Sequence, residues 1–290
     1  MSCSTCLAEL LYFYQQRRVG RAPRTWAQYQ ATLRRFDRYL QRPAMVADLT
    51  ESTVVGFLAH VAESSCLGTV ATKRAHLLAL WTWAAKKHYT DEWPDLPLVK
   101  VPQRIPTAWT VEQVTRLLDA CRGMLGLCAG LPAGFFWRSL ILVLFDTGLR
   151  ATAAWSLRQA EVDLAERTMY VRAETQKHRA DQLLRFSPQT GDALAEIWQP
   201  ARALLFPWDR SQRTRYLEFD RLLQRAGLPH GPRDKFQRIR RTTATLGRHY
   251  GAAQGFDATA QLGHSSDAIT RRHYLAPMFS IQAADVLPRP

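Results

Sequence analysis

Two stretches far apart in the chain carry side chains suited to one kind of reaction. Near the end, "LGHSSDAITRRHYL" (262–275) sets His264 behind a glycine turn and Tyr274 ten residues further on. Upstream, Arg150 closes "DTGLR", Lys177 lies in a polar turn, and Arg240 sits in "FQRIRRTTATL". Breaking a phosphodiester without a metal needs these residue types. Charge grows on the phosphate oxygens, and fixed guanidiniums can stabilise it through paired hydrogen bonds. A nucleophile must attack phosphorus, and an acid must protonate the departing sugar oxygen. If the nucleophile is a side chain, the bond energy is kept in a covalent intermediate and the ends can be rejoined without ATP. Each residue alone also has an ordinary reading. "TGLR" can merely end a helix, a turn lysine is usually solvated, and a basic run such as Arg238, Arg240 and Arg241 is commonly an exposed face. His264 could cap a helix, and Tyr274 could bury its ring in a core.

The elements that must hold these residues follow from the apolar periodicity. In the first hundred residues, a helix is expected over Cys6 to Arg17. "TWAQYQATLRRFDRYL" lines up Trp26, Tyr29, Leu33, Phe36 and Leu40 on one face, with Thr25 as its cap. Thr50 caps a third helix. "TVATKRAHLLALWTWAAKKHY" forms another, with Leu77, Leu78 and Trp81 inward and Lys73, Arg74, Lys86 and Lys87 on it. Four or five helices of this kind make a bundle. Pro94, Pro97, Pro102 and Pro106 then mark a linker, because proline removes a backbone donor and favours extended chain. This divides the chain into a helical domain over 1–105 and a second domain over 106–290. There, Thr110 and Gln113 form a capping box, and "FFWRSLILVLFDTG" is a buried helix ending at Gly148. Short strands are expected at 168–173 and 182–186. Ser187 and Pro188 open a helix. Further helices are expected around 213–226, 236–250, 257–262 and 266–276, the last containing Tyr274. The fold class is mainly α with a small antiparallel sheet.

A net charge of +14, with 39 Lys and Arg against 25 Asp and Glu, points to a polyanionic partner, nucleic acid first. Charge of this kind speaks to partners, not to fold. No apolar run approaches membrane-spanning length, and the N-terminus lacks the pattern of a secretory signal. The five cysteines suit a reducing cytoplasm better than a disulfide framework. Cys3 and Cys6, a single C-x-x-C, read as ordinary thiols, since a zinc site normally needs four ligands.

Three ordered boxes resemble the tyrosine recombinase, or phage integrase, family. These are "TGLR" with Leu157 and Asp163 at the family offsets, "QRIRRT" at 237–242, and "LGHSS" followed by Tyr274. The likeness extends over nearly the whole chain. It implies an N-terminal helical domain that clamps DNA, a mixed α+β catalytic domain, and cleavage through a 3′-phosphotyrosine with neither metal nor other cofactor. By position, Arg150 and Arg240 would bind the non-bridging oxygens, Tyr274 would attack, Lys177 would protonate the 5′ oxygen, and His264 would hydrogen-bond the phosphate or assist proton movement. Gln237 takes the place of a family His or Lys; it can donate a hydrogen bond but cannot act as an acid or base. Ala153 replaces a family Glu. Lys73, Arg74 and Arg241 are the expected DNA contacts. The implied partners are double-stranded DNA with paired sites and further copies of the chain, forming a tetramer on DNA through a C-terminal tail (Phe279, Ile281, Ala284, Val286). The two departures motivate an alternative, a DNA-binding relative with impaired catalysis. A type IB topoisomerase, which shares the chemistry, is the other.

Overall fold

The structure, a computed structural model, describes residues 5–231 and 234–279. The chain divides into two compact units, Met1–Arg104 and Ile105–Pro290.

The first unit is built from α1 (Leu7–Gln16), α2 (Pro23–Leu40), α3 (Glu51–Ser64) and α4 (Leu67–Lys86). Local chemistry sets their starts. Cys6 caps α1 through a reciprocal pair with Glu9, which gives this thiol a structural use. Thr50 accepts from the Thr53 amide at the start of α3, a cap worth about 1 kcal/mol. α2 begins at Pro23 rather than behind Thr25, because proline's fixed φ suits the first helical position and its missing N–H is no loss there. Leu10, Tyr14, Trp26, Phe36, Phe57, Leu77 and Trp81 fill the core. Leu78 is only half-buried. The proline-rich segment after α4 has no regular structure, yet it is tied down locally. Trp81 Nε1 donates to the Glu92 carbonyl at 2.8 Å, and Leu96 is buried in the core.

The second unit opens with α5 (Val111–Arg122), whose Thr110–Gln113 capping box is formed. A short ribbon, β1 (Leu127–Cys128) and β2 (Leu131–Pro132), leads into α6 (Ala133–Thr147). α6 is the central helix: Phe136, Trp137, Leu140, Ile141, Val143 and Leu144 are all buried. It stops at Gly148, whose φ of +65° would strain any other residue and whose missing Cβ leaves room for Leu262 at 2.7 Å. α7 (Ala151–Ala154) follows. Then comes an antiparallel sheet of β3 (Val162–Asp163), β4 (Thr168–Val171) and β5 (Gln182–Arg185), paired in that order. β3 was not expected: two residues are too few to show alternation, and the pairing of Val162 with Met169 decides it. α8 (Pro188–Ile197), α9 (Gln212–Arg225), α10 (Phe236–Gly251), α11 (Ala258–Leu262) and α12 (Asp267–His273) complete the unit. Trp137 stacks on Phe236 and Phe219, which joins α10 and α9 to α6.

α12 is shorter than the expected 266–276. Tyr274 is its C-terminal cap residue, not a residue within it, with φ −126°. Thr245 accounts for the early stop: its hydroxyl donates to the Tyr274 carbonyl at 3.2 Å and accepts from the Ala276 amide at 3.0 Å. Pro277 also disfavours helical backbone at Ala276. Of the tail, Phe279 stacks on His249 with ring centres 3.6 Å apart; Ile281, Ala284 and Val286 lie outside the described residues.

Candidate active site

The C-terminal end of α6 organises the site. A helix leaves its last carbonyls without intrahelical partners, and here other elements supply donors. Thr243 on α10 donates to the Phe145 carbonyl at 2.7 Å, and Gln261 on α11 donates to that of Thr147 at 2.9 Å. Arg240 completes the set. Its Nη1 donates to the Gly148 carbonyl at 2.5 Å and its Nη2 to that of Leu262 at 2.6 Å. One buried guanidinium therefore joins the residues just before Arg150 to the turn just before His264.

Arg240 is 3% exposed, and its Nε is buried without a hydrogen-bond partner. Burial first, and then the positive charge of Arg150, pushes its pKa down to about 10, with Tyr274 acting in the opposite sense. It stays cationic near neutral pH. Arg150 caps α7 with its backbone extended and is half-buried.

His264 sits beside these arginines. Arg240 Nη2 donates to His264 Nε2 at 3.2 Å, so the proton of the neutral ring belongs on Nδ1, which faces the Thr270 hydroxyl at 2.8 Å. Burial, then Arg240, Arg150, His178 and His273, pushes the His264 pKa down to about 4. The ring packs on Tyr274 with centres 4.4 Å apart, and the Arg240 guanidinium lies 5.4 Å from the centre of the tyrosine ring. Gln237, one turn before Arg240 on α10, donates from Nε2 to the Tyr274 hydroxyl at 2.9 Å. Two expected parts of the site thus meet directly: the uncharged residue in the second box holds the hydroxyl of the third. His273 is exposed, so Tyr274 and not its neighbour faces the site.

Arg150, Gln237, Arg240, His264 and Tyr274 are brought together. Lys177 is not; it is exposed in the segment joining β4 to β5. The next residue, His178, goes in instead, and no sequence motif marked it. Ala153 is buried at 2% exposure. Arg241 is half-buried, and its pKa is lowered by burial and then by Arg238. The "basic run" is therefore not an open cationic face: Arg238 is buried in an ion pair with Asp234 and lies over Trp109. In the first unit, Arg74 spends two donors on the carbonyls of Pro97 and Leu96, at 2.7 and 2.6 Å. Lys73 donates to Thr32 Oγ1 at 3.2 Å, and its pKa is lowered by burial, then by Arg35 and Arg34.

A mainly helical unit with a three-stranded sheet, and two arginines, a histidine and a tyrosine gathered at the end of its central helix, defines the class to which comparison with known proteins leads. The sequence profile of the phage integrase family matches residues 108–280, and the chain belongs to that family. The tyrosine recombinase XerD of Ralstonia nicotianae is 26% identical over 189 residues, 64% of this chain. The chain spans 59% of that relative's length. Among solved structures, a lambda integrase dimer bound to a COC′ core site superposes with a TM-score of 0.73 at 15% identity, covering 96% of this chain and 80% of that one. The Tn1549 transposon integrase in complex with circular intermediate DNA gives 0.72 at 15% identity over 98% and 100%. XerH bound to difH gives 0.67 at 18% over 85% and 76%. These likenesses establish the tyrosine recombinase fold. Among the described residues, no helix is long and apolar enough to cross a membrane.

Proposed function

We propose that the protein is a site-specific DNA recombinase that cleaves and rejoins double-stranded DNA through a 3′-phosphotyrosine. The observation that carries this reading is the meeting of Tyr274 with Gln237, Arg240 and His264. A phosphate placed against Arg150 and Arg240 would lie within reach of the tyrosine hydroxyl. The arginines would stabilise the charge that develops on the non-bridging oxygens. Gln237 would orient the phenol for attack on phosphorus. His264, its Nδ1 facing Thr270, would contact the phosphate once Nε2 is protonated, or pass a proton. Lys177, exposed in the β4–β5 segment, would close on the DNA and protonate the 5′ oxygen. Because the attacking tyrosine keeps the 3′ phosphate, the reverse attack by a 5′ hydroxyl restores the backbone with no other energy source.

The partners follow from the same reading. The first unit, with Lys73 and Arg74, and the second, with Arg241, would grip a duplex mainly through phosphates, making binding steeply salt-dependent. Lambda integrase has been seen as a dimer on a core site and as a tetramer on a Holliday junction. We extend that assembly to this chain, with the residues beyond Phe279 exchanged between neighbours and the reaction taking place in the cytoplasm. The test is covalent trapping. Incubated with DNA from the regions flanking the gene, in EDTA, the wild-type protein should form an adduct that survives denaturant, and Tyr274→Phe should bind the DNA and form none. Robust adducts from Tyr274→Phe would overturn the assignment.

A further inference from the structure

His178 has no part in the proposed chemistry, yet its ring packs against the turn that carries His264. It follows Lys177 in the segment between β4 and β5, and its ring lies against Gly263, in the turn that carries His264. A Cβ built on Gly263 would fall 2.4 Å from His178 Cε1 and 2.6 Å from its Nε2. Gly263 is thus required twice over: its φ is +60°, and any side chain would displace this imidazole. Both ring nitrogens of His178 are buried, and neither has a hydrogen-bond partner in the protein.

A histidine that merely plugged a gap would be expected to satisfy its polar atoms or to yield its place to an apolar residue. The groups acting on this one point instead to an anion. Arg150 at the start of α7 and Arg240 on α10 are near enough for their charges, after burial, to lower its pKa. His264 is close enough to feel its charge, and its neighbours in the connecting segment are Lys177 and Arg179. The charges that act on it are two guanidiniums suited to phosphate, while the segment's Glu174 and Asp181 are engaged by Arg172 and by the Ala173 amide.

We propose that His178 is a further phosphate-binding residue, its imidazole donating a hydrogen bond to a non-bridging oxygen of the phosphate held by Arg150 and Arg240. This rests on the reading of those arginines as phosphate ligands. It also gives the β4–β5 segment a way to sense the substrate: the ring that touches Gly263 draws the segment, and Lys177 with it, over the bound phosphate. Burial, then Arg150 and Arg240, keeps the imidazole below its usual pKa in the free protein. A phosphate anion offsets those two positive charges, so the pKa rises on binding and a proton is taken up. Phosphate affinity therefore falls as pH rises through the value of the bound state.

The test uses inorganic phosphate as the probe and the full-length chain. Imidazole NMR signals of wild type, His178→Phe and His178→Gln are followed against phosphate concentration at several pH values. Phe keeps a ring against Gly263 and loses both nitrogens; Gln keeps an N–H donor and covers the case in which the Phe variant fails to fold. Phosphate should shift the His178 signals and raise their midpoint. His178→Phe should lose affinity by about ten-fold, the worth of one hydrogen bond to a charged group, and His178→Gln should recover much of it. Unmoved His178 signals, or equal phosphate affinity in all three proteins, would overturn the proposal. The covalent assay separates the two readings. If Tyr274→Phe abolishes adducts while the His178 variants bind phosphate and cleave like wild type, only the role of His178 falls. If phosphate binds through His178 but Tyr274→Phe still forms adducts, only the nucleophile assignment falls.

Discussion

Each unit of the molecule holds a partly buried cluster of a histidine and cations, and the two are finished differently. In the first unit, His76 Nδ1 meets Thr32 Oγ1 at 2.7 Å, Lys73 donates to the same hydroxyl, and Tyr29 stacks on the imidazole at 4.1 Å. Burial, then Lys73, keeps His76 below its usual pKa. In the second unit, His264 and His178 are depressed by the same two causes, burial first and neighbouring cations next. There, however, Arg240 Nε and both nitrogens of His178 are left without partners. Low pKa values therefore do not distinguish the clusters. In the first, no buried side-chain nitrogen or oxygen of Tyr29, Thr32, Lys73 or His76 is left without a partner. The second leaves Arg240 Nε and the His178 nitrogens unpaired beside two guanidiniums and a phenol, the feature on which the proposed phosphate site rests.

The comparison breaks most directly at the two central residues. Arg240→Ala should lower the cleavage rate by about 10²–10³, the scale of losing one donor that stabilises a developing oxyanion. It should also cost on the order of 3 kcal/mol of stability, because the Gly148 and Leu262 carbonyls lose their donor. His76→Leu should cost about 1–2 kcal/mol and leave the adduct rate of the DNA-bound protein unchanged. Thermal unfolding and covalent trapping of both variants check this. Loss of chemistry in His76→Leu with DNA saturating would erase the distinction drawn here.

A smaller effect lies in pH. A histidine whose pKa falls from 6.5 unfolded to about 4 folded favours the unfolded chain once protons are available. The stability it supports is complete above 6.5 and is lost as pH falls towards about 4. His264→Asn should therefore flatten the acid side of the stability profile in that window, read as the difference between variant and wild-type denaturation curves. His76 and His178 act with the same sign, which is why a difference and not a single curve is required. Equal slopes would mean that His264 is not held neutral by burial and by the charges of Arg240 and Arg150. The smallest change is Gln237→Ala. It removes one neutral hydrogen bond from the Tyr274 hydroxyl and should slow adduct formation by about ten-fold without weakening DNA binding. An unchanged rate would mean that Arg240 and the His264 ring orient the phenol unaided.

Much of this was legible before any coordinates. Thr50, Thr110 with Gln113, and Ser187 with Pro188 specify helix starts through contacts three residues away, so spacing alone reveals them. The stripe from Trp26 to Phe36 is buried as its period requires. Gly148 ends α6 because the backbone must turn left-handed there. Arg150, Arg240, His264 and Tyr274 stand out by residue type and by the ordered boxes that resemble the family. What could not be read was where side chains of equal chemistry spend their donors. Arg74 and Lys73 look equally available on a helix face, but Arg74 is engaged by carbonyls at positions 96 and 97 and Lys73 by the Thr32 hydroxyl, contacts no periodicity encodes.

The sequence by itself therefore determined most of the helices and the caps at Thr50, Thr110 and Ser187, because those depend on interactions within a few residues. Only the tertiary structure decided which of Lys177 and His178 enters the site, since adjacent residues on an irregular segment carry no periodic mark of inside and outside. It also decided that Gln237 meets the Tyr274 hydroxyl and that Tyr274 stands just past its helix. Both follow from packing α10 against the end of α12, where Thr245 ties down the backbone of Tyr274 and Ala276 from 29 and 31 residues away.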